Sequence, residues 1–195
     1  MTRPRKGELD ECRRCDLWRR ATQGVPGKGA RKARLMLVGE QPGDEEDLRG
    51  QAFVGPAGRL LDELLEAAGI DRAHCYVTNA VKHFKWEPRG KRRLHKRPNA
   101  GEISACNVWL QREIASEKPA VILCLGATAS RAVLGREMPV ASSRGRSFEH
   151  ESKARVRVTY HPSAILRAMV AGDAGPMRAA VVRDLRAAWK LAQRD

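Results

Sequence analysis

The sequence predicts an α/β fold, with three αβα layers built on a central four-stranded parallel sheet. Short apolar runs alternate along the chain with longer amphipathic stretches, which is the pattern of successive βαβ units. The chain has 195 residues, about the length of one ordinary domain. Because it contains no internal repeat and no linker-like segment, we expect residues 1–195 to form a single domain.

Four apolar runs predict the strands of this sheet. The third run is apolar throughout, which is typical of a central strand that is buried on both faces. In chain order the predicted strands cover Ala33–Val38, Cys75–Val81, Pro119–Leu125 and Val156–Tyr160.

Five amphipathic stretches predict the helices. The first begins with Pro56 and ends just before Gly69, and these residue types favour the start and the end of a helix. Its leucines recur on one face, at Leu60, Leu61, Leu64 and Leu65. In chain order the predicted helices cover Pro56–Ala68, Asn99–Glu117, Gly126–Leu134, Ser163–Val170 and Met177–Gln193.

One segment, Lys85–Pro98, interrupts this regular pattern. It is rich in lysine and arginine, contains two prolines and a glycine, and has no apolar period, so we expect an exposed loop. Loops at the carboxyl ends of the strands line the ligand crevice of an open α/β sheet. Because Gly39–Gly55, the residues after Asn79, and His161–Ser163 also follow predicted strands, we expect all four segments to meet at one edge.

The charge of the chain favours a polyanionic partner. Lysine and arginine number 37 against 23 acidic residues, which gives a net charge of +14. Such an excess would attract a nucleic acid from a distance and bind it with release of counterions. A merely basic protein is the alternative. No run approaches the ~20 apolar residues of a spanning helix and no apolar signal core is present, so we expect a cytoplasmic protein without a membrane partner.

The motif G-E-Q-P-G-D, at Gly39–Asp44, directly follows the first predicted strand. Its two glycines and its proline favour a tight turn at the strand end. Such a turn directs backbone N–H groups into the crevice, with Glu40 and Gln41 beside them. The alternative is an ordinary connection between a strand and a loop.

Two further residues have the chemistry to bind a flat base. Phe53 lies among glycines before a helix start, where its ring could serve as a stacking platform or as a core anchor. Asn79 ends the second predicted strand, and its amide offers an acceptor and two donors. That amide could pair with O4 and N3–H of uracil and would mismatch cytosine, or it could simply cap the strand turn.

His161 lies in the motif Y-H-P-S at the end of the fourth predicted strand. Pro162 restrains the preceding histidine to an extended backbone. The imidazole could then donate a hydrogen bond to charge that develops on a leaving base.

Cysteine spacing suggests a metal site. Cys12 and Cys15 form a C-x-x-C pair near the N-terminus, with Cys106 and His83 further along the chain. From spacing alone, both zinc and an iron–sulfur cluster remain possible. The other two cysteines, Cys75 and Cys124, lie within apolar strands and are expected to be buried core residues.

These motifs, in this order, resemble the uracil-DNA glycosylase superfamily, and in particular its iron–sulfur-bearing family 4. The resemblance extends from Cys12 to the last helix. It implies a [4Fe–4S] cluster held by Cys12, Cys15 and Cys106, with His83 in the position of the fourth ligand. It also implies that Glu40 and His161 are catalytic. The implied uracil-binding residues are Gly39, Gln41, Pro42, Gly43, Asp44, Phe53 and Asn79.

The K-R-R-L-H sequence at Lys91–His95 resembles the UdgX branch of this family. That resemblance implies that His95 bonds covalently to C1′ of the sugar after uracil is released. Lys91, Arg92, Arg93 and Ser163 are expected to contact DNA phosphates, and we expect a monomer acting on single- or double-stranded uracil-containing DNA. The alternatives are a family 4 glycosylase that turns over many times, and a non-enzymatic zinc-containing nucleic-acid-binding module.

Overall fold

A six-stranded mixed sheet lies at the centre of the computed structural model, which describes residues 2–194. The strands are β1 Lys28–Gly29, β2 Leu35–Gly39, β3 Cys75–Asn79, β4 Trp86–Arg89, β5 Arg92–His95, β6 Val121–Leu125, β7 Phe148–Glu149 and β8 Arg155–Thr159. The strand order in the central sheet is β1-β3-β2-β6-β8-β7, and β4 pairs with β5 in a separate two-stranded sheet.

The four predicted strands form the parallel centre of this sheet, as β3, β2, β6 and β8. The prediction of a four-stranded sheet is nevertheless wrong, because β1 and β7 add one antiparallel strand at each edge. Each of these edge strands has only two residues, which is too short to show any apolar alternation in the sequence.

The predicted helices are all present, with ends that differ by no more than two residues. Three short helices, at Lys6–Asp10, Asp44–Arg49 and Val140–Ser143, were not predicted. The helices are α1 Lys6–Asp10, α2 Asp44–Arg49, α3 Pro56–Ala68, α4 Ala100–Glu117, α5 Ala127–Leu134, α6 Val140–Ser143, α7 Pro162–Val170 and α8 Gly175–Ala192. Among the described residues, no helix combines the length and the apolar character needed to span a membrane.

The two faces of the sheet carry separate apolar cores, which confirms the three layers. Along β2, Leu35 and Leu37 join α3 and α8 in one core. Met36 and Val38 point to the opposite face and join α4 and α5 in the other. This alternation follows from the two-residue period of a strand, and it explains why β2 is fully buried.

The segment predicted to be a loop, Lys85–Pro98, contains instead the hairpin of β4 and β5. Its turn uses Gly90 at φ +58°, and Trp86 pairs with His95 across the two strands. The two strands could not be recognised in the sequence, because Arg93 forms part of the inward face where an apolar residue would normally give the alternating pattern. The guanidinium carbon of Arg93 lies 5.4 Å and 5.5 Å from the ring centres of Phe84 and Trp86.

A buried ion pair joins α4 to the end of β3. Lys82 Nζ lies 2.7 Å from Glu113 Oε2, and both side chains are completely buried. The ammonium also donates to the Thr78 hydroxyl and to the Asn79 carbonyl, each at 2.8 Å. Glu113 additionally accepts from the backbone N–H of Gly27 at 2.9 Å. The charges are therefore both paired and hydrogen-bonded, as burial of ions requires.

Replacing Glu113 with leucine should lower the free energy of unfolding by about 3–5 kcal/mol, because the Lys82 ammonium would stay buried without its counterion. Urea denaturation followed by circular dichroism measures this loss. The double variant Lys82→Met, Glu113→Leu should recover most of the stability, since it removes both charges. A single variant that loses less than about 1 kcal/mol would show that the pair is not required.

Candidate active site

The carboxyl ends of the four parallel strands bring the candidate residues together at one edge of the sheet. Gly39 and Asn79 are direct partners in the register between β2 and β3. His161 lies two residues beyond the end of β8, and Thr128 lies three residues beyond the end of β6. This edge is where open α/β sheets bind their ligands.

Gly39 is the point at which Phe53 and Asn79 meet. A Cβ atom on Gly39 would lie 2.4 Å from Phe53 Cζ and 2.5 Å from Asn79 Oδ1, so no larger residue fits. Asn79 is 2% exposed, and its Oδ1 has no hydrogen-bond partner within the described chain. An unpaired buried acceptor destabilises the fold, and this oxygen is left able to accept one more hydrogen bond.

The backbone of Phe53 is strained to place its ring here. Its φ is +55°, a left-handed conformation that non-glycine residues rarely adopt. Gly58 permits this turn, because a Cβ there would lie 2.1 Å from the Phe53 carbonyl oxygen. The ring is buried in the core and its centre lies 6.0 Å from that of His161. Phe53 is thus both a core residue and one wall of the site.

Ser163 fixes the proton on the His161 ring. The backbone N–H of Ser163 donates to His161 Nδ1 at 3.1 Å, and the Ser163 hydroxyl lies 2.8 Å from the same nitrogen. Nδ1 is therefore unprotonated, and Nε2 carries the hydrogen. Burial lowers the pKa of His161 to about 4, with smaller contributions from His95 and Arg167. At neutral pH this side chain is a neutral hydrogen-bond donor.

Glu40 faces three groups at the start of the G-E-Q-P-G-D turn. Its Oε1 lies 3.6 Å from His95 Nε2. Its Oε2 accepts from the Thr128 hydroxyl at 2.5 Å, and Arg97 Nε lies 3.8 Å from the same oxygen. Burial lowers the pKa of His95. The negative charge of Glu40 opposes this shift, and the positive charge of Arg167 adds to it.

Arg93 attaches the hairpin to α2. Its Nε donates to Asp44 at 2.5 Å, and its Nη1 donates to the buried Asp47 at 2.6 Å. Asp44 and Asp47 therefore already bind the Arg93 guanidinium, which was expected to contact a DNA phosphate. By contrast, Lys91 and Arg92 lie exposed at the hairpin turn and form no ion pair with any other residue in 2–194.

The rest of the G-E-Q-P-G-D turn supports the neighbouring elements. Gln41 donates to the carbonyls of Lys85 and Lys96 at 3.2 and 3.0 Å, so its amide holds both ends of the hairpin segment. Pro42 is buried, and Gly43 is the N-cap of α2.

The predicted cluster ligands lie on the α4 side of the sheet. Cys106 is buried, and its thiol accepts from the Lys82 backbone N–H at 3.2 Å. Burial raises the pKa of Cys106 to about 12, and the neighbouring thiols of Cys15 and Cys12 add to the shift. His83 is also buried. No group of three or more His, Cys, Asp or Glu side chains in the described chain is arranged to hold a single metal ion.

Four residues near the site were missed by the sequence analysis. Glu46 accepts hydrogen bonds from Val54 and Gly55 and so shapes the loop that carries Phe53. The sequence does carry a signal for Thr128, because this residue lies just after the third predicted strand, and the other candidate residues also lie just after predicted strands. Arg97 and Arg167 carry no such signal, since their contacts depend on the tertiary fold.

Comparisons with known proteins agree with this arrangement. A family model described as the uracil DNA glycosylase superfamily matches residues 26–186. A type-4 uracil-DNA glycosylase from Thermotoga maritima is 36% identical over 188 residues, covering 96% of this chain and 92% of that protein. One from Archaeoglobus fulgidus is 37% identical over 166 residues, covering 82% of this chain and 80% of that protein. The chain belongs to the uracil DNA glycosylase superfamily.

Proposed function

We propose that the protein excises uracil from DNA and then stays attached to the abasic sugar through His95. The observation that carries this proposal is the position of the His95 imidazole, with its Nε2 3.6 Å from Glu40 Oε1 at the strand-end site. A nucleophilic side chain thus lies beside the carboxylate that would face the sugar.

Asn79 suits uracil rather than cytosine. Its unpaired Oδ1 can accept from N3–H of uracil, and its amide N–H can donate to O4. Cytosine presents a lone pair at N3 and an amino group at C4, so both contacts would be lost. Phe53 would support the extruded base from one side, as flipped bases in general rest on aromatic rings.

His161 would stabilise the leaving base. When the bond between C1′ and N1 breaks, its electron pair moves to uracil, and C1′ becomes cationic. The His161 Nε2–H can donate to the developing anion, while the Glu40 carboxylate stabilises the sugar cation. Both contacts act on charge that appears in the transition state, which is where preorganised groups accelerate a reaction.

His95 would then form a covalent bond with the sugar. Because the pKa of His95 is lowered, the imidazole is neutral at pH 7 and offers a lone pair to C1′. The lone pair forms the new C–N bond, and the ring then loses its N–H proton, which passes through solvent to the released uracil anion. A positioned nucleophile acts at effective molarities of ~10⁵ M or more, so it outcompetes water. Imidazole is a poor leaving group, so the adduct persists.

For DNA contacts we propose the exposed Lys91 and Arg92, together with Ser163 beside His161. The net charge of +14 supports a polyanionic substrate. Arg93 would act indirectly, because two carboxylates already hold it.

We also propose a [4Fe–4S] cluster on Cys12, Cys15, Cys106 and His83. Three thiols and an imidazole suit iron, and the four metal atoms of a cluster accept ligands that are spaced too widely for one ion. The Trp109 indole N–H donates to Cys12 Sγ at 3.2 Å, a contact typical of ligand sulfurs. When bound, the cluster would tie the N-terminal segment to α4. Iron and sulfide analysis tests this assignment, and zinc without iron would overturn it.

Wild-type protein mixed with a uracil-containing oligonucleotide should give a shifted band that survives denaturing electrophoresis. His95→Ser should abolish this band and still release uracil, since His161 and Asn79 are unchanged. His74→Ser, at an exposed position outside the site, serves as the matched control and should retain the band. A band that persists in His95→Ser, or free abasic DNA alone from the wild type, would contradict covalent capture.

The rate of crosslinking should fall to half its maximum only below about pH 6.5, the ordinary pKa of histidine. The pKa of His95 is lowered, so its neutral form persists below the pH at which a free imidazole is half protonated. Single-turnover rates over pH 5–8 measure this profile. A half-maximal rate at pH 6.5 or above would contradict the assignment of a neutral His95 as nucleophile.

Gly39→Ala should slow uracil release by roughly 10²-fold, because a displacement of about 1 Å at a reacting site costs that much. The added Cβ would occupy the place where Phe53 and Asn79 approach each other. Gly175→Ala is the control, since nothing lies within 4 Å of a Cβ there. Uracil release is measured by alkaline cleavage of the abasic product. Equal rates for the two variants would show that Gly39 does not line the pocket.

A further inference from the structure

A buried threonine lies directly behind the Glu40 carboxylate. Thr128 is 2% exposed in the first turn of α5, and its hydroxyl oxygen lies 2.5 Å from Glu40 Oε2. The start of this helix is fixed by Gly126, at φ +93°, where a Cβ would lie 3.4 Å from His161 Cβ. The backbone that carries Thr128 is therefore fixed, and its β-branched side chain has few rotamers.

Arg97 determines the direction of this hydrogen bond. Its Nε donates to the Thr128 hydroxyl oxygen at 3.1 Å, and its Nη2 donates to Glu137 at 2.9 Å. An arginine can only donate, so the oxygen of Thr128 is the acceptor in this contact. The hydroxyl proton is then directed to the other neighbour, Glu40.

The two oxygens of Glu40 consequently have different partners. Oε2 is engaged by Thr128, with Arg97 Nε at 3.8 Å, whereas Oε1 faces His95 Nε2 at 3.6 Å. Without the hydroxyl, the nearest cation to Oε2 is the Arg97 guanidinium. The carboxylate would then turn toward Arg97 and leave His95 without its partner.

We propose that Thr128 is a positioning residue that holds Glu40 toward His95 and thereby sets the ratio of covalent capture to release of a free abasic site. This inference rests on the proposed function. Base recognition depends on Asn79, Phe53 and His161, and no hydrogen bond joins Thr128 to any of them in the described chain. Because Glu40 would also stabilise the sugar cation, loss of the hydroxyl slows excision as well. Capture additionally needs the contact between Glu40 and His95, so it falls further than excision and the product ratio shifts toward the free abasic site.

The test compares Thr128→Val, which keeps the shape and loses the hydroxyl, with Thr128→Ser, which keeps the hydroxyl. Single-turnover reactions with a uracil-containing oligonucleotide give the crosslinked band and the free abasic product on one gel. The valine variant should crosslink about tenfold more slowly, the effect of one hydrogen bond to a charged group. Its free abasic fraction should rise, and the serine variant should stay within about twofold of the wild type.

The ratio of crosslinked DNA to free abasic DNA distinguishes a positioning role of Thr128 from a general loss of folded protein. A variant that is only less well folded loses excision and capture together, which leaves the ratio unchanged and overturns the inference. A serine variant as impaired as the valine variant would overturn it too. If the wild type itself forms no crosslinked band, the proposed function fails and this inference fails with it, whereas a normal wild-type band with an unchanged valine ratio rejects the role of Thr128 alone.

Discussion

The hydrogen-bonded ion pairs of Arg93 hold the hairpin against α2, in the position that places His95 beside Glu40. The hairpin makes no strand contact with the main sheet, and an isolated two-stranded hairpin is marginally stable. Arg93 joins it to α2 through Asp44 and through Asp47, whose carboxylate also accepts from the backbone N–H of Thr22. His95 lies two residues beyond Arg93 on the same face of β5, so this anchor fixes the imidazole beside Glu40.

The site keeps two histidines neutral in a strongly basic protein, and their partners decide what each can do. Burial lowers the pKa of both His161 and His95, and Arg167 lowers both further. On His161, the Ser163 backbone N–H occupies Nδ1 and leaves Nε2 as a donor. On His95, a carboxylate rather than an N–H faces Nε2. In the proposed reaction, His161 would stabilise an anion through Nε2–H, and His95 would offer a lone pair to the sugar.

The sequence predicted the parts of the structure that depend on local pattern. The four parallel strands and the long helices follow from apolar periodicity, and the strand-end rule placed Gly39, Asn79 and His161 at one edge. The hairpin was missed because Arg93 occupies an inward position that an apolar residue normally fills. The left-handed backbone of Phe53 could not be predicted either, since it depends on the space that Gly58 leaves. The local sequence pattern determines where helices and strands form, whereas the contacts between distant side chains depend on the tertiary fold.

A hydroxyl behind Glu40 has an advantage over a direct ion pair. An arginine bonded to the carboxylate would fix its position and would also neutralise its charge, which both the cationic sugar and His95 need. Thr128 fixes the position by a neutral donor, while Glu137 and Thr128 together keep the Arg97 guanidinium 3.8 Å from Glu40 Oε2. The carboxylate stays negative and oriented. In the proposed reaction, it would therefore stabilise the sugar as uracil departs and still lie beside the histidine that would bond to C1′.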